Sequence, residues 1–163
     1  SIYCGNAFFI VDSRWPKEYC NSSLERVKPD LIITDDPLEN MSYEEINFCE
    51  NMSYRILMTN NSKEKPQDLS YVITTSGTTG EPKVIEVCNS SIIPNIYDLR
   101  DILNLNSIDL IYQASSLTFD PSLIEIFCSF VSKCKLLILP QNVKQRPEIL
   151  NNHLFKHHLT TLQ

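Results

Sequence analysis

Glycine is scarce in this sequence, because only 3 of the 163 residues are glycine, far below the roughly 7% of an average protein. Basic residues are outnumbered as well, with 14 Lys and Arg against 20 Asp and Glu and a net charge of -6. Without a basic stripe, this balance excludes a general nucleic-acid binder. No apolar run approaches the length of a transmembrane helix, and no export signal opens the sequence. We therefore expect a cytoplasmic protein without a membrane span.

Metal-binding spacing is also missing. The six cysteines form no C-x-x-C pair and no zinc pattern. His153 and His157 have the i, i+4 spacing of metal ligands, but no acidic or cysteine partner is apparent for them. We expect these histidines to be structural or to face solvent. We expect no metal ligands in the chain, and reduced cysteines that act as small core residues.

The remaining composition, 42% hydrophobic and 21% charged, is typical of a globular protein. Short apolar runs alternate with amphipathic stretches, which predicts an α/β fold with a parallel sheet. The predicted strands are 7–11, 31–34, 54–58, 71–74, 84–88, 110–113, 135–139 and 160–163. The predicted helices are 22–27, 90–103, 121–131 and 147–158, and a further helix is predicted to start at the capping box 42–45. Ser22 or Ser23 is the expected N-cap of the first helix.

The helix predicted at 121–131 has a clear amphipathic pattern. Its apolar residues recur at i, i+3, i+4, i+7 and i+8, which places them on one face. They are Leu123, Ile126, Phe127, Phe130 and Val131. The opposite face carries Ser122, Glu125, Ser129 and Ser132.

Two of the three glycines lie in one stretch that follows the strand at 71–74. Glycine admits positive φ and lets a ligand approach the main chain. Backbone amides, short hydroxyl side chains and one ammonium, all present here, are the groups that bind a polyphosphate. The residues expected to bind phosphate are Thr75, Ser76, Gly77, Thr78, Thr79, Gly80 and Lys83. On composition alone, an ordinary turn is the alternative.

Asp120 stands between Phe119 and the proline that opens the helix. Asp is a favoured N-cap and Pro suits the first helical position, so spacing alone favours a structural role. A carboxylate desolvated beside an aromatic ring would instead favour an ammonium partner, because a buried charge needs pairing. Both interpretations stay open on the residues alone.

At these two places the sequence resembles the adenylate-forming enzymes, which include acyl-CoA synthetases, luciferases and the adenylation domains of peptide synthetases. T-S-G-T-T-G-E-P-K at 75–83 resembles the phosphate-loop signature of that family. F-D-P-S at 119–122 resembles the F-D-x-S motif of the members that activate amino acids. T-F-D-P-S followed by I-E-I-F is similar to the β-alanine-activating, aminoadipate-semialdehyde dehydrogenase-like branch. Val84 departs from the pattern, because the family usually has glycine there.

The resemblance implies that ATP and Mg2+ bind with the loop around the β- and γ-phosphates, and that Asp120 pairs with the amino group of the substrate. A small carboxylic or amino acid would be activated as an acyl-adenylate. The acceptor would be a thiol, either CoA or phosphopantetheine on a carrier domain of the same parent chain.

The resemblance also implies that residues 1–163 are an incomplete part of the large N-terminal domain, internal to a longer ligase. No catalytic residue beyond the phosphate loop is expected in this part, which should not complete catalysis alone. Two alternatives stay open. One is a fatty- or aryl-acid CoA ligase in which Asp120 is only a cap, and the other is a non-catalytic interaction module that retains the fold.

Overall fold

A computed structural model describes residues 6–34, 44–49, 52–58, 68–76 and 82–161. Strands and helices alternate along these ranges, so the fold is α/β, as predicted. In chain order the elements are β1 (Phe8–Phe9), α1 (Lys17–Val27), β2 (Leu31–Thr34), β3 (Glu44–Cys49), β4 (Met52–Met58), β5 (Leu69–Ser76), β6 (Pro82–Cys88), α2 (Asn89–Ile102), β7 (Leu110–Tyr112), α3 (Asp120–Ser132), β8 (Lys135–Leu137), α4 (Gln141–Lys144) and α5 (Pro147–Lys156). None of the described helices combines the length and the apolar composition that crossing a membrane requires.

The strand pairings are mixed, which corrects the prediction of a parallel sheet. β1 is parallel to β5 and β7 is parallel to β8, with Ile111 also bridging Thr161 in parallel. β5 and β6 form an antiparallel hairpin, and β4 is antiparallel to both β2 and β3. A connection between two neighbouring parallel strands needs a crossover of about a dozen residues or more. The connection from β5 to β6 is too short for one.

Two predicted helix starts are wrong. The capping box at 42–45 does not open a helix, because Glu44 and Glu45 lie in β3 and pair with β4. Ser42 itself lies outside the described residues. α1 begins at Lys17, and Ser23, a predicted N-cap, lies inside that helix and is fully buried.

An acid outside the helix caps α2. The backbone N–H of Ser90 donates to Asp68 Oδ2 at 3.1 Å, and the backbone N–H of Asn89 donates to the Asp68 carbonyl at 2.8 Å. The first N–H groups of a helix have no partner within the helix, so Asp68 satisfies two of them. The hydrogen bond from Ser90 holds the pKa of Asp68 below its ordinary value.

The core lies between β5 and the two helices α2 and α3. Its buried residues are Tyr71, Ile92, Ile96, Leu105, Ile111, Leu123 and Cys128. Phe8 stacks against Tyr71 with the ring centroids 5.8 Å apart. Burying a large aliphatic side chain stabilises a fold by roughly 1.5–3 kcal/mol. This cluster therefore fixes the position of β5 relative to α3.

α3 buries the face that the sequence pattern made polar, in addition to Leu123 of the predicted apolar face, which belongs to the core. Ser122 and Ser129 are almost fully buried, and their hydroxyls donate to the carbonyls of Phe119 at 2.8 Å and Ile126 at 2.7 Å. Phe130, on the predicted apolar face, is 66% exposed. A serine whose hydroxyl bonds to its own helix is small and locally satisfied, so it packs at little cost. The neighbours of α3 therefore decide which side is buried.

Candidate active site

The antiparallel strands β5 and β6 carry the two ends of the hydroxyl-rich loop at 75–83. We call these two ends, residues 75–76 on β5 and 82–83 on β6, the loop arms. Thr75 pairs with Lys83 and Ser76 pairs with Pro82. Both Thr75 and Lys83 are exposed. Outside the described residues lie the other predicted phosphate-binding residues, Gly77, Thr78, Thr79 and Gly80. Cross-strand partners have their Cβ atoms about 5 Å apart. The fold therefore places Thr75, which carries a hydroxyl, opposite Lys83, which carries an ammonium, where the loop begins and ends.

Val84 stands where the related family usually has glycine, yet the strand accommodates it. Val84 is half-buried and pairs with Thr74 in the β5–β6 ladder. Its φ is not positive, so the local backbone does not require glycine. The departure at this position therefore leaves the hairpin intact.

Asp120 is the first residue of α3 and receives a hydrogen bond from β5. The hydroxyl of Tyr71 donates to Asp120 Oδ1 at 3.0 Å. The N-cap of α3 is Phe119, and no side chain there makes a capping hydrogen bond. Asp120 is therefore not the cap that spacing alone favoured. It contacts the sheet instead.

The second carboxylate oxygen of Asp120 is open within the described ranges. Oδ2 accepts no hydrogen bond from these residues, and none of their basic side chains lies within ion-pair distance. Asp120 is half-buried, and its neighbour Phe119 is 64% exposed. A partly desolvated carboxylate beside an aromatic ring is a suitable partner for an ammonium group.

The hydroxyl of Tyr71 stays protonated at neutral pH. Burial, together with the hydrogen bond to Asp120 and its charge, raises the pKa of Tyr71 far above its ordinary value. The ring is only 2% exposed and belongs to the core. Tyr71 is therefore a fixed hydrogen-bond donor to Asp120. The sequence had shown it only as part of a strand.

Tyr71, which contacts Asp120, lies on the same face of the β5–β6 hairpin as Thr75 and Lys83 of the loop arms. Alternate residues of a strand share a face, and so do cross-strand partners. Tyr71 and Thr75 are therefore on the same face of β5, and Lys83 joins them from β6. At about 3.3 Å per residue, the rise from Tyr71 to Thr75 is roughly 13 Å.

A second carboxylate, which is almost fully buried, lies later on α3. The sequence pattern placed it on the polar face. Glu125 is 2% exposed and accepts hydrogen bonds from Ser115 Oγ at 3.0 Å and from the Ser115 backbone N–H at 3.3 Å. The only signal for it in the sequence is an acid between Ile124 and Ile126. Glu125 tethers the segment that joins β7 to Asp120.

Lys144 of α4 holds the start of the same segment. Its Nζ donates to the Gln113 carbonyl at 2.5 Å and to Gln113 Oε1 at 2.8 Å. The amide of Gln113 donates to the Ser115 carbonyl. Burial lowers the pKa of Lys144, while the charge of Glu125 acts in the opposite direction. This network fixes the chain between β7 and α3, and with it the approach to Asp120.

Within the described side chains, the histidine pair and the cysteines form no metal site and no activated nucleophile. The rings of His153 and His157 stack with centroids 6.2 Å apart. Across the described part of the chain, no three His, Cys, Asp or Glu side chains gather as a metal site would require. Burial raises the pKa of the Cys128 thiol, so it is a weak nucleophile. Cys20, Cys88, Cys128 and Cys134 are free thiols.

Comparison with known proteins identifies the family. The sequence profile of the AMP-binding enzymes matches residues 2–163. The chain belongs to this adenylate-forming family. The family expected from the sequence is thereby confirmed.

Individual members of the family are similar to parts of the chain. The β-alanine-activating enzyme of Homo sapiens is 46% identical over 94 residues, which are 58% of this chain and 9% of that protein. The Vibrio cholerae adenylation domain AlmE, crystallised with glycyl-adenosine-5'-phosphate, has 34% identity and a TM-score of 0.52. That match covers 63% of this chain and 18% of AlmE.

A more complete match supports the fold alone. The crystal structure of IdnL1 has a TM-score of 0.72 with 14% identity, over 94% of this chain and 32% of IdnL1. Together with the match to the AlmE adenylation domain, this shows that the described fold is part of the adenylation-domain fold. The chain spans a small fraction of the curated relatives it matches, since the matches to the β-alanine-activating enzymes cover 9% or 10% of those proteins.

Proposed function

We propose that the protein containing this chain uses ATP to activate a carboxylic acid, and that the acid is an amino acid such as β-alanine. The observation that carries the proposal is the shared face of the β5–β6 hairpin, with the open oxygen of Asp120 towards one end and Thr75 and Lys83 at the other. Family membership supports the use of ATP and an acyl-adenylate product. Similarity to the β-alanine-activating enzyme and to AlmE supports a substrate with an amino group.

The two loop arms carry groups that can bind the triphosphate of ATP. Lys83 supplies an exposed ammonium and Thr75 an exposed hydroxyl, which are groups that bind phosphate oxygens. We place the β- and γ-phosphates between them, with Thr78, Thr79 and the backbone amides of the loop completing the site. Mg2+ enters with ATP as the counter-ion of its phosphates, and we assign it no protein ligand.

In the first reaction, a carboxylate oxygen of the substrate attacks the α-phosphorus of ATP. The bond from that phosphorus to the oxygen that bridges to the β-phosphate breaks, and pyrophosphate leaves with the electron pair. Charge builds up on the leaving group, so Lys83 and the loop hydroxyls lower the barrier electrostatically. Asp120 holds the ammonium of the substrate and thereby positions its carboxylate for in-line attack.

In the second reaction, a thiol takes the acyl group. The sulfur attacks the carbonyl carbon, the bond from that carbon to the phosphate oxygen breaks, and AMP leaves while the thiol proton passes to solvent. The thiol belongs either to CoA or to phosphopantetheine on a carrier domain. We place residues 1–163 within the N-terminal domain of a longer ligase, and we expect this part alone not to complete catalysis.

Exchange of labelled pyrophosphate into ATP by the full-length protein tests the proposal. The wild-type protein should show exchange that depends on β-alanine or a similar amino acid. Lys83→Ala together with Thr78→Ala should lower the rate about 100-fold or more, since losing one preorganised donor can cost that much. Lys135→Ala, at an exposed position on β8, is the matched control and should leave the rate unchanged. Unchanged exchange in the double variant would contradict the role of the loop.

A further inference from the structure

We infer that Tyr71 is a positioning residue that determines selectivity for substrates with an amino group. Its hydroxyl holds Oδ1 of Asp120 and leaves Oδ2 open to receive the ammonium of the substrate. This inference rests on the proposed role of Asp120. It adds a residue from β5, which is 49 positions away in sequence, to the site that recognises the acid.

The position of the Tyr71 hydroxyl is fixed from both sides of the strand. Tyr71 pairs with Phe8 of the parallel strand β1 and with Val87 of the antiparallel strand β6. Its ring stacks on that of Phe8 and is 2% exposed within the core. A side chain that is enclosed in this way cannot follow a mobile carboxylate. The carboxylate instead takes the orientation that the hydroxyl sets.

Asp120 needs such a partner because its own helix does not hold its side chain. The carboxylate makes no capping hydrogen bond at the start of α3. In the described ranges its only hydrogen bond comes from Tyr71. Hydrogen bonds to charged groups are stronger than those between neutral groups. The Tyr71 hydroxyl thus both orients the carboxylate and stabilises its charge before the substrate arrives.

The direct test is Tyr71→Phe in the full-length protein, which keeps the ring and removes the hydroxyl. We expect KM for β-alanine to rise about tenfold or more, which is the effect of losing one hydrogen bond to a charged group. The KM for ATP should stay unchanged. The ratio of kcat/KM for β-alanine to that for propionate, the same acid without its amine, should fall by the same factor. This ratio does not depend on the folded fraction of the variant.

Tyr112→Phe is the matched control. Tyr112 is 3% exposed on β7, and among the described residues its hydroxyl makes no hydrogen bond with Asp120. Its removal should leave the ratio at the wild-type value. A role of Tyr71 that is only structural would lower activity towards both acids equally and leave the ratio unchanged, which would overturn the inference.

Asp120→Asn separates failure of the inference from failure of the proposed function. If Tyr71 acts through Asp120, then Tyr71→Phe should not lower the ratio further in the Asp120→Asn background. If Asp120→Asn abolishes the selectivity and Tyr71→Phe alone leaves it intact, the inference fails while the proposed function stands. If neither variant changes the ratio, the amine-binding role of Asp120 fails, and the role of Tyr71 fails with it.

Discussion

Two carboxylates on α3 differ in how many hydrogen bonds they accept from the rest of the protein. Glu125 is almost fully buried, and its carboxylate accepts hydrogen bonds from both the backbone and the hydroxyl of Ser115. Asp120 is half-buried, and in the described ranges it accepts one hydrogen bond, from Tyr71. The fold uses the hydrogen-bonding capacity of Glu125 for itself. It leaves part of the capacity of Asp120 available.

This difference shows how to separate an acid that supports the fold from one that can bind a ligand. Asp120 is partly and Glu125 almost fully removed from water. Burial alone would therefore have selected Glu125 as the acid that binds a ligand. The number of carboxylate oxygens that accept hydrogen bonds from the protein makes the distinction, because groups already bonded within the fold are not available to a ligand. Asp120 Oδ2, which accepts no hydrogen bond from the described residues, is the oxygen to which the proposed function assigns the ammonium of the substrate.

The largest expected effect is the loss of substrate selectivity in Asp120→Asn. The full-length variant should lose about 100-fold in kcat/KM for β-alanine relative to propionate, because breaking a desolvated charge pair costs about 2–5 kcal/mol. Its thermal stability should change little. Steady-state exchange assays with the two acids measure the effect. Asp101→Asn, on the exposed part of α2, is the control.

Glu125→Ala should show the reverse pattern. It leaves the N–H and hydroxyl of Ser115 without their acceptor, which costs about 1–3 kcal/mol of unfolding free energy for buried groups. Urea denaturation of the full-length protein measures this loss. Glu125→Gln keeps an acceptor oxygen and should lose less. Equal stability of the alanine variant and the wild type would remove the distinction between the two acids.

Asp68 extends the comparison to an exposed acid, with a smaller effect. Its pKa is lowered in the fold, so its stabilising contribution is present above the ordinary carboxyl range near about pH 4 and is lost as pH falls through the folded value. Asp68→Asn should therefore destabilise α2 at neutral pH and bring no extra loss in strong acid. Hydrogen exchange at Ser90 and Asn89 across this pH range reports the change. Protection that is independent of pH in the wild type would contradict it.

Much of the fold follows from local sequence patterns. The strands predicted at 31–34, 54–58, 71–74, 84–88 and 110–113 are all present, because runs of apolar and β-branched residues bounded by polar turns carry that information locally. The helix start expected at 42–45 was wrong, since pairing of β3 with β4 overrides a capping pattern. α4 was not predicted. It is only four residues long, too short for a periodic signal.

The candidate site was only partly accessible from the sequence. The glycine pair and Asp120 stood out by composition and motif, and both remain central to the proposal. Tyr71 did not stand out, because its contact with Asp120 joins β5 to α3 across the core and no periodicity reports such a pair. Glu125 was assigned to the polar face. Its burial depends on Ser115, which lies in an irregular segment.

The most direct test of the central claim is a crystal structure of the full-length protein with β-alanine and a non-hydrolysable ATP analogue. The claim is that one face of the β5–β6 hairpin binds the amine at one end and the triphosphate at the other. The account predicts the ammonium nitrogen about 3 Å from Asp120 Oδ2 and the β- and γ-phosphates beside Thr75 and Lys83. An ammonium bound away from Asp120, or a triphosphate on another face of the hairpin, would contradict it.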